Sequence, residues 1–189
     1  INSSTANPTG VWDSNFKGVW HLGEASNTTR LDSTTNNNDL SDTTAVAKGT
    51  GKTGDAANFV PTDYLTISDV TQTGLDLSTQ FTLEAWVNAT SGATEQSIIS
   101  KRDAIPQHSY DLLLNSAPRA ILRISLDGTN DINLNSPTVL STGTWYHVAA
   151  TYDGAQTRLY LNGSFNTSQP QLGAVFNSTS VLNIGARSN

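Results

Sequence analysis

The chain has no cysteine and no methionine among its 189 residues, and charged side chains make up only 14% of it. Without cysteine there is no disulfide framework, no thiolate nucleophile and no Cys-ligated zinc. Positive charge is the scarcer sign. Ten Lys and Arg stand against sixteen Asp and Glu, for a net charge of −6 and a pI near 4.8. The basic residues are scattered, and only Lys101 and Arg102 are adjacent. With no basic stripe to track phosphates, nucleic acid and an anionic membrane surface are excluded as partners. Long apolar runs are lacking too: no stretch approaches the roughly 18 residues of a membrane-spanning helix, and no leader pattern opens the chain. It begins at Ile1 rather than Met, as expected of a processed extracellular protein or an excised domain.

What is present is Ser, Thr, Asn and Gly, interleaved with short apolar runs of period 2. Residues 145–163, WYHVAATYDGAQTRLYLNG, are the clearest case. Tyr146, Val148, Ala150 and Tyr152 alternate with Trp145, His147, Ala149 and Thr151. Asp153-Gly154 then supplies turn chemistry before a second strand that ends on Asn162-Gly163. Further strands are predicted over 16–24, 80–88, 97–101, 110–114, 120–126, 131–135 and 181–184. Residues 54–68 are predicted to form two more, broken at Pro61 because proline cannot donate to a ladder. Strands at this spacing, with no amphipathic helix, predict an all-β chain: a two-sheet antiparallel β-sandwich. Residues 1–10 read as a polar arm or linker and 11–189 as one domain.

The order of motifs carries more. VWDSNFKGVWHLGE, the loop LDSTTNNNDL, the pair GKTGDAANFV and PTDYLTI, FTLEAWV, the 145–163 hairpin and VLNIGARSN follow one another. In that order they resemble the laminin G-like, concanavalin A-like jelly-roll family. The resemblance implies a jelly roll that mostly binds or builds things outside cells, and so an extracellular or cell-surface place. The family's pattern usually continues after N-I-G into a closing strand. This sequence stops at Asn189, so the expectation is a jelly roll lacking that strand, with an edge open to β-augmentation.

Enzymes of the concanavalin A-like group resemble one another in an E-x-D-x-x-E strand that sets carboxylates about 5 Å apart. Here the three glutamates are Glu24, Glu84 and Glu95, and Glu84 is followed at i+2 by Trp86. No G-x-S-x-G elbow is present either. A non-catalytic module is therefore expected, with glycan or a surface protein as partner, or copies of itself in a filament assembled by strand donation. KGTGKTG over 48–54 lacks the leading glycine of a phosphate loop and reads as a turn.

Asp32, Asn36, Asn37, Asn38, Asp39 and Asp42 gather hard oxygens within eleven residues, the chemistry Ca²⁺ prefers. The same loop resembles a family loop that often holds calcium, which implies Asp32, Asn37 and Asp39 as ligands of a structural ion. Its alternative is an Asx-turn knot held by its own side chains. For glycan the sequence offers Trp12 together with the polar rim Arg102, Asp103 and His108. Sequons at Asn2, Asn27, Asn88, Asn162, Asn166 and Asn177 are possible glycosylation sites.

Overall fold

A computed structural model describes residues 10–90, 92 and 94–186. Among them every regular element is a strand, and no helix is long and apolar enough to cross a membrane. The chain divides into two compact units with the boundary between Leu75 and Asp76, where the sequence predicts one domain over 11–189. Asn2 and all of the predicted arm except Gly10 lie outside the described residues.

The first unit carries β1 (Ser41–Asp42), β2 (Ala47–Thr50), β3 (Asp55–Asn58) and β4 (Leu65–Ile67). β1 pairs antiparallel with β4, and β2 with β3. The β2–β3 turn closes when Gly51 N–H donates to the Gly54 carbonyl at 2.9 Å, so the 48–54 segment is a hairpin, as its turn chemistry predicts. The strand expected over 16–24 does not form; only an isolated bridge, Trp20 to Asp32, remains of it. Side chains have taken the place of a partner strand there. The Val19 N–H donates to Asp32, and the Phe16 and Lys17 carbonyls accept from Asn36 and Asn38 amides.

Beneath this unit's loops lies an ion pair with both side chains fully buried. Arg30 Nη2 meets Asp42 Oδ2 at 2.9 Å and also donates to the Val46 carbonyl at 2.8 Å, while Arg30 Nη1 donates to the Glu24 carbonyl. Asp42 in turn accepts the N–H groups of Asn27 and Val46. One guanidinium and one carboxylate thus tie together three stretches of chain that have little sheet structure of their own.

The second unit carries β5 (Phe81–Asn88), β6 (Gln96–Arg102), β7 (His108–Leu114), β8 (Ala120–Ser125) and β9 (Asp131–Asn135). It continues with β10 (Trp145–Tyr152), β11 (Gln156–Leu161), β12 (Ser164–Pro170) and β13 (Leu182–Ile184). Neighbours run β13-β6-β7-β8-β9 in one sheet and β12-β11-β10-β5 in a second, four-stranded sheet, all antiparallel. The two sheets pack face to face as a β-sandwich. Phe81 on β5 lies 5.8 Å, centroid to centroid, from Tyr110 on β7 and the same distance from Tyr152 on β10. Leu83, Val148, Ala150 and Leu159 from one sheet and Leu112, Leu122, Ile124 and Leu134 from the other are all buried.

In this second unit the period-2 runs come out where predicted, and β12 is the addition. Its sequence, SFNTSQP, has few β-formers. It forms because Asn162 and Gly163, at φ 50° and 78°, make the turn that folds it back onto β11.

Candidate functional site

The 32–42 loop is a closed hydrogen-bond knot. Asp32 Oδ1 accepts the N–H groups of Val19 and Thr34, each at 2.9 Å. Its Oδ2 accepts the Thr34 hydroxyl at 2.7 Å and the Asn38 N–H at 2.9 Å. Asp39 Oδ1 accepts the Asp32 N–H, and Asn37 sits exposed at φ 55° with its amide on the Thr35 carbonyl. Asn38 bridges Lys17 and Thr73. These donors aim hydrogens at both oxygens of Asp32, where a cation would need lone pairs. Among the described residues no group of three or more His, Cys, Asp or Glu could hold a metal ion. As arranged here, the four donors on Asp32 leave that carboxylate unsuited to a calcium shell. The expected result is a melting temperature indifferent to Ca²⁺ or chelator, with Asp32→Asn lowering stability by about 2 kcal/mol through orphaned donors. A clear rise in melting temperature with Ca²⁺ would return the ion to this loop.

Trp12 packs edge-on against Phe16, with ring centroids 4.8 Å apart. Of the predicted polar rim, Arg102 and His108 do come together. They do so around Asp131, which the sequence did not single out: Arg102 grips it with two hydrogen bonds of 3.1 Å, and His108 Nδ1 lies 3.0 Å away. Asp103 stands apart, accepting the neighbouring Ala104 N–H. The network continues inward through Arg123, which meets Glu95 at 3.0 Å, Asn133 at 2.8 Å and Asp111 at 3.7 Å. Each cation here already faces a carboxylate, so the cluster braces β6 to β9. Lys101, one residue from Arg102 but across a register shift, points inward and donates to the Ser178 and Ser180 carbonyls.

The outer face of the four-stranded sheet is different. Along β5 the exposed positions are Thr82, Glu84 and Trp86. Trp86 is 48% exposed, although so large an aromatic side chain gains much from burial. Across the strand pair Trp86 faces His147, with ring centroids 5.4 Å apart at 60°. The His147 backbone is pinned by the Asn162 side chain at 2.9 Å, and its Nε2 lies 3.7 Å from Glu84 Oε2. The next row runs Glu84, Ala149, Tyr160, Phe165 across all four strands. Tyr160 and Phe165 meet edge to face at 6.0 Å, and Phe165 is 62% exposed. An exposed indole beside a carboxylate and an imidazole is the chemistry that grips a sugar: the ring stacks on C–H groups while the polar atoms bind hydroxyls. The alternation of FTLEAWVN already put Glu84 and Trp86 on one face. It could not say that both side chains stay exposed to this degree.

The sequons sort by environment. Asn27, Asn162 and Asn177 are exposed, while Asn88 and Asn166 are half-buried. The Asn166 amide nitrogen, the atom a glycan would occupy, is already donating to Thr138 Oγ1 at 2.9 Å.

The chain is 29% identical over 110 residues to Pappalysin-1 of Homo sapiens, a match covering 51% of this chain and 7% of that protein. Among solved structures it resembles the Botulinum neurotoxin serotype D ligand binding domain in complex with N-acetylneuraminic acid. The TM-score there is 0.66 at 16% identity, over 89% of this chain and 42% of that one. It also resembles Domain 4 of AbnA, a GH43 extracellular arabinanase from Geobacillus stearothermophilus, in complex with arabinotriose. That likeness has a TM-score of 0.57 at 20% identity, over 76% of this chain and 68% of that one. At such identities these structures speak for the fold. The family match is narrower than the run of motifs beginning at Val11, but it takes in both sheets of the second unit. Residues 59–189 match the laminin G-type model of the Concanavalin A-like lectin/glucanases superfamily, and the chain belongs to that family.

Proposed function

We propose that this chain is a non-catalytic recognition module, extracellular or on a cell surface, that binds glycan on the outer face of its four-stranded sheet. The observation that carries the reading is the exposed Trp86 indole, braced by His147 with Glu84 alongside. Membership of a lectin-like family and the sugar complexes of the two similar structures support it. A binding role is favoured over glycoside hydrolysis because Glu84 is the only Asp or Glu on the strands of this sheet, and retaining chemistry needs two carboxylates about 5 Å apart. A glycan array probed with the full chain and with Trp86→Ala tests the reading. Signals that vanish in the variant support it. No glycan signal, or signals equal in both proteins, would point to a protein ligand.

A second reading is favoured by β5 itself. It runs eight residues with β10 on one side and, among the described residues, no strand on the other. Such an edge accepts an added strand, as a filament subunit built by strand donation would require. Light scattering that finds polymers, lost on deleting residues 1–10, would support assembly through this edge, and a stable monomer would oppose it.

A further inference from the structure

Resting on the glycan reading of this sheet face, the geometry points to an uncharged oligosaccharide as the ligand, laid across the strands from Trp86 to Phe165. The first argument is extent. The face has two aromatic platforms, Trp86 with His147 on β5 and β10, and Tyr160 with Phe165 on β11 and β12. Three inter-strand steps separate β5 from β12, about 14 Å at a spacing of about 4.8 Å. That is longer than one sugar ring and suits a short chain of them. Between the platforms stands Ala149, 8% exposed and the smallest side chain in its row. Ligand rings can pass over it without meeting a bulky group.

The second argument is charge. The four strands carry three ionisable groups that bear on an anion: Glu84, His147 and Arg158. Arg158 is engaged at 2.7 Å by Asp153 and at 2.5 Å by Gln156. Glu84 stands in the same row as Tyr160 and Phe165, with 56% of its side chain exposed. A carboxylate on the path of the ligand accepts hydroxyl hydrogen bonds from a neutral sugar and repels a sialic acid carboxylate. In water two like charges about 4 Å apart differ from an uncharged pair by roughly a fivefold change in affinity. The discrimination therefore comes from repulsion at the site, as specificity often does.

Calorimetric titration of the full chain with neutral oligosaccharides of increasing length, and with a neutral trisaccharide beside sialyllactose, tests this. Affinity should rise with length, and Phe165→Ala should remove the gain of the longer sugars. Sialyllactose should bind about fivefold more weakly than a neutral trisaccharide, and Glu84→Gln should narrow that gap. Tighter binding of sialyllactose that is lost in Trp86→Ala would overturn the charge argument while leaving the glycan site in place. Affinity independent of length and of Phe165 would overturn the extended path. Binding of every sugar unaffected by Trp86→Ala would remove the site itself.

Discussion

Arg30→Met is expected to destabilise the first unit by about 3–5 kcal/mol, because it leaves the Asp42 carboxylate buried without its counter-ion. Both side chains of the pair are fully buried, so water cannot restore the lost interaction. For a chain of this size that corresponds to a fall in melting temperature of roughly 10 °C. Adding Asp42→Leu should recover much of the loss, since two apolar groups leave no orphaned charge. If the single and double variants melt alike, the pair is not what holds these loops. Acid should act on the same link. Burial pushes the Asp42 pKa upward, but the Val46 and Asn27 N–H groups and Arg30 outweigh it and hold it below its ordinary value of 3.8. A depressed carboxylate pKa contributes stability that is complete above that value and lost as pH falls through the folded one. Acid unfolding of the first unit should therefore begin below pH 3.8, and the Arg30→Met, Asp42→Leu double variant should lose that dependence.

Trp86→Ala is expected to weaken glycan binding by about thirtyfold, near 2 kcal/mol, the scale of a truncated aromatic anchor. Nearly half of the side chain is exposed, so the variant should keep its fold and lose less than about 1 kcal/mol of stability. Trp86→Phe, which retains a stacking face, should keep part of the affinity. His147→Ala should cost less than Trp86→Ala, since His147 braces the indole and offers one polar edge. Calorimetry together with thermal melts separates the two effects: lost affinity with an unchanged melt supports a ligand contact, and parallel losses would mean that Trp86 is structural.

Most of the second unit was legible because its strands are half-buried and alternate. FTLEAWVN and WYHVAATY each put apolar residues on one face, and their pairing, Val148 opposite Ala85 and Ala150 opposite Leu83, follows from that pattern. The first unit was less legible. The 16–24 stretch has the composition of a strand, but backbone groups of Phe16, Lys17 and Val19 are met by Asx side chains distant in sequence, and no local pattern announces such a partner. The same loop looked suited to a cation because Asp and Asn oxygens are dense in it. Whether an oxygen faces a metal or an N–H is decided by geometry, and for Asp32 it is N–H and hydroxyl groups. Arg102 and His108 do meet in space, but Asp131, which pairs with both, comes from the far edge of the sheet. The aromatic face was half visible. Alternation identified its members on β5, while Phe165 belongs to β12, a strand that turn chemistry made and propensity did not suggest.

The most direct measurement is to titrate the isotopically labelled chain with a neutral oligosaccharide from the calorimetric series and follow its backbone amide signals. Changes clustered on β5, β10, β11 and β12, centred on Glu84, Trp86, His147 and Tyr160, are the predicted result. Changes concentrated on the 32–42 loop or around Arg102, His108 and Asp131, with the four-stranded sheet silent, would contradict it.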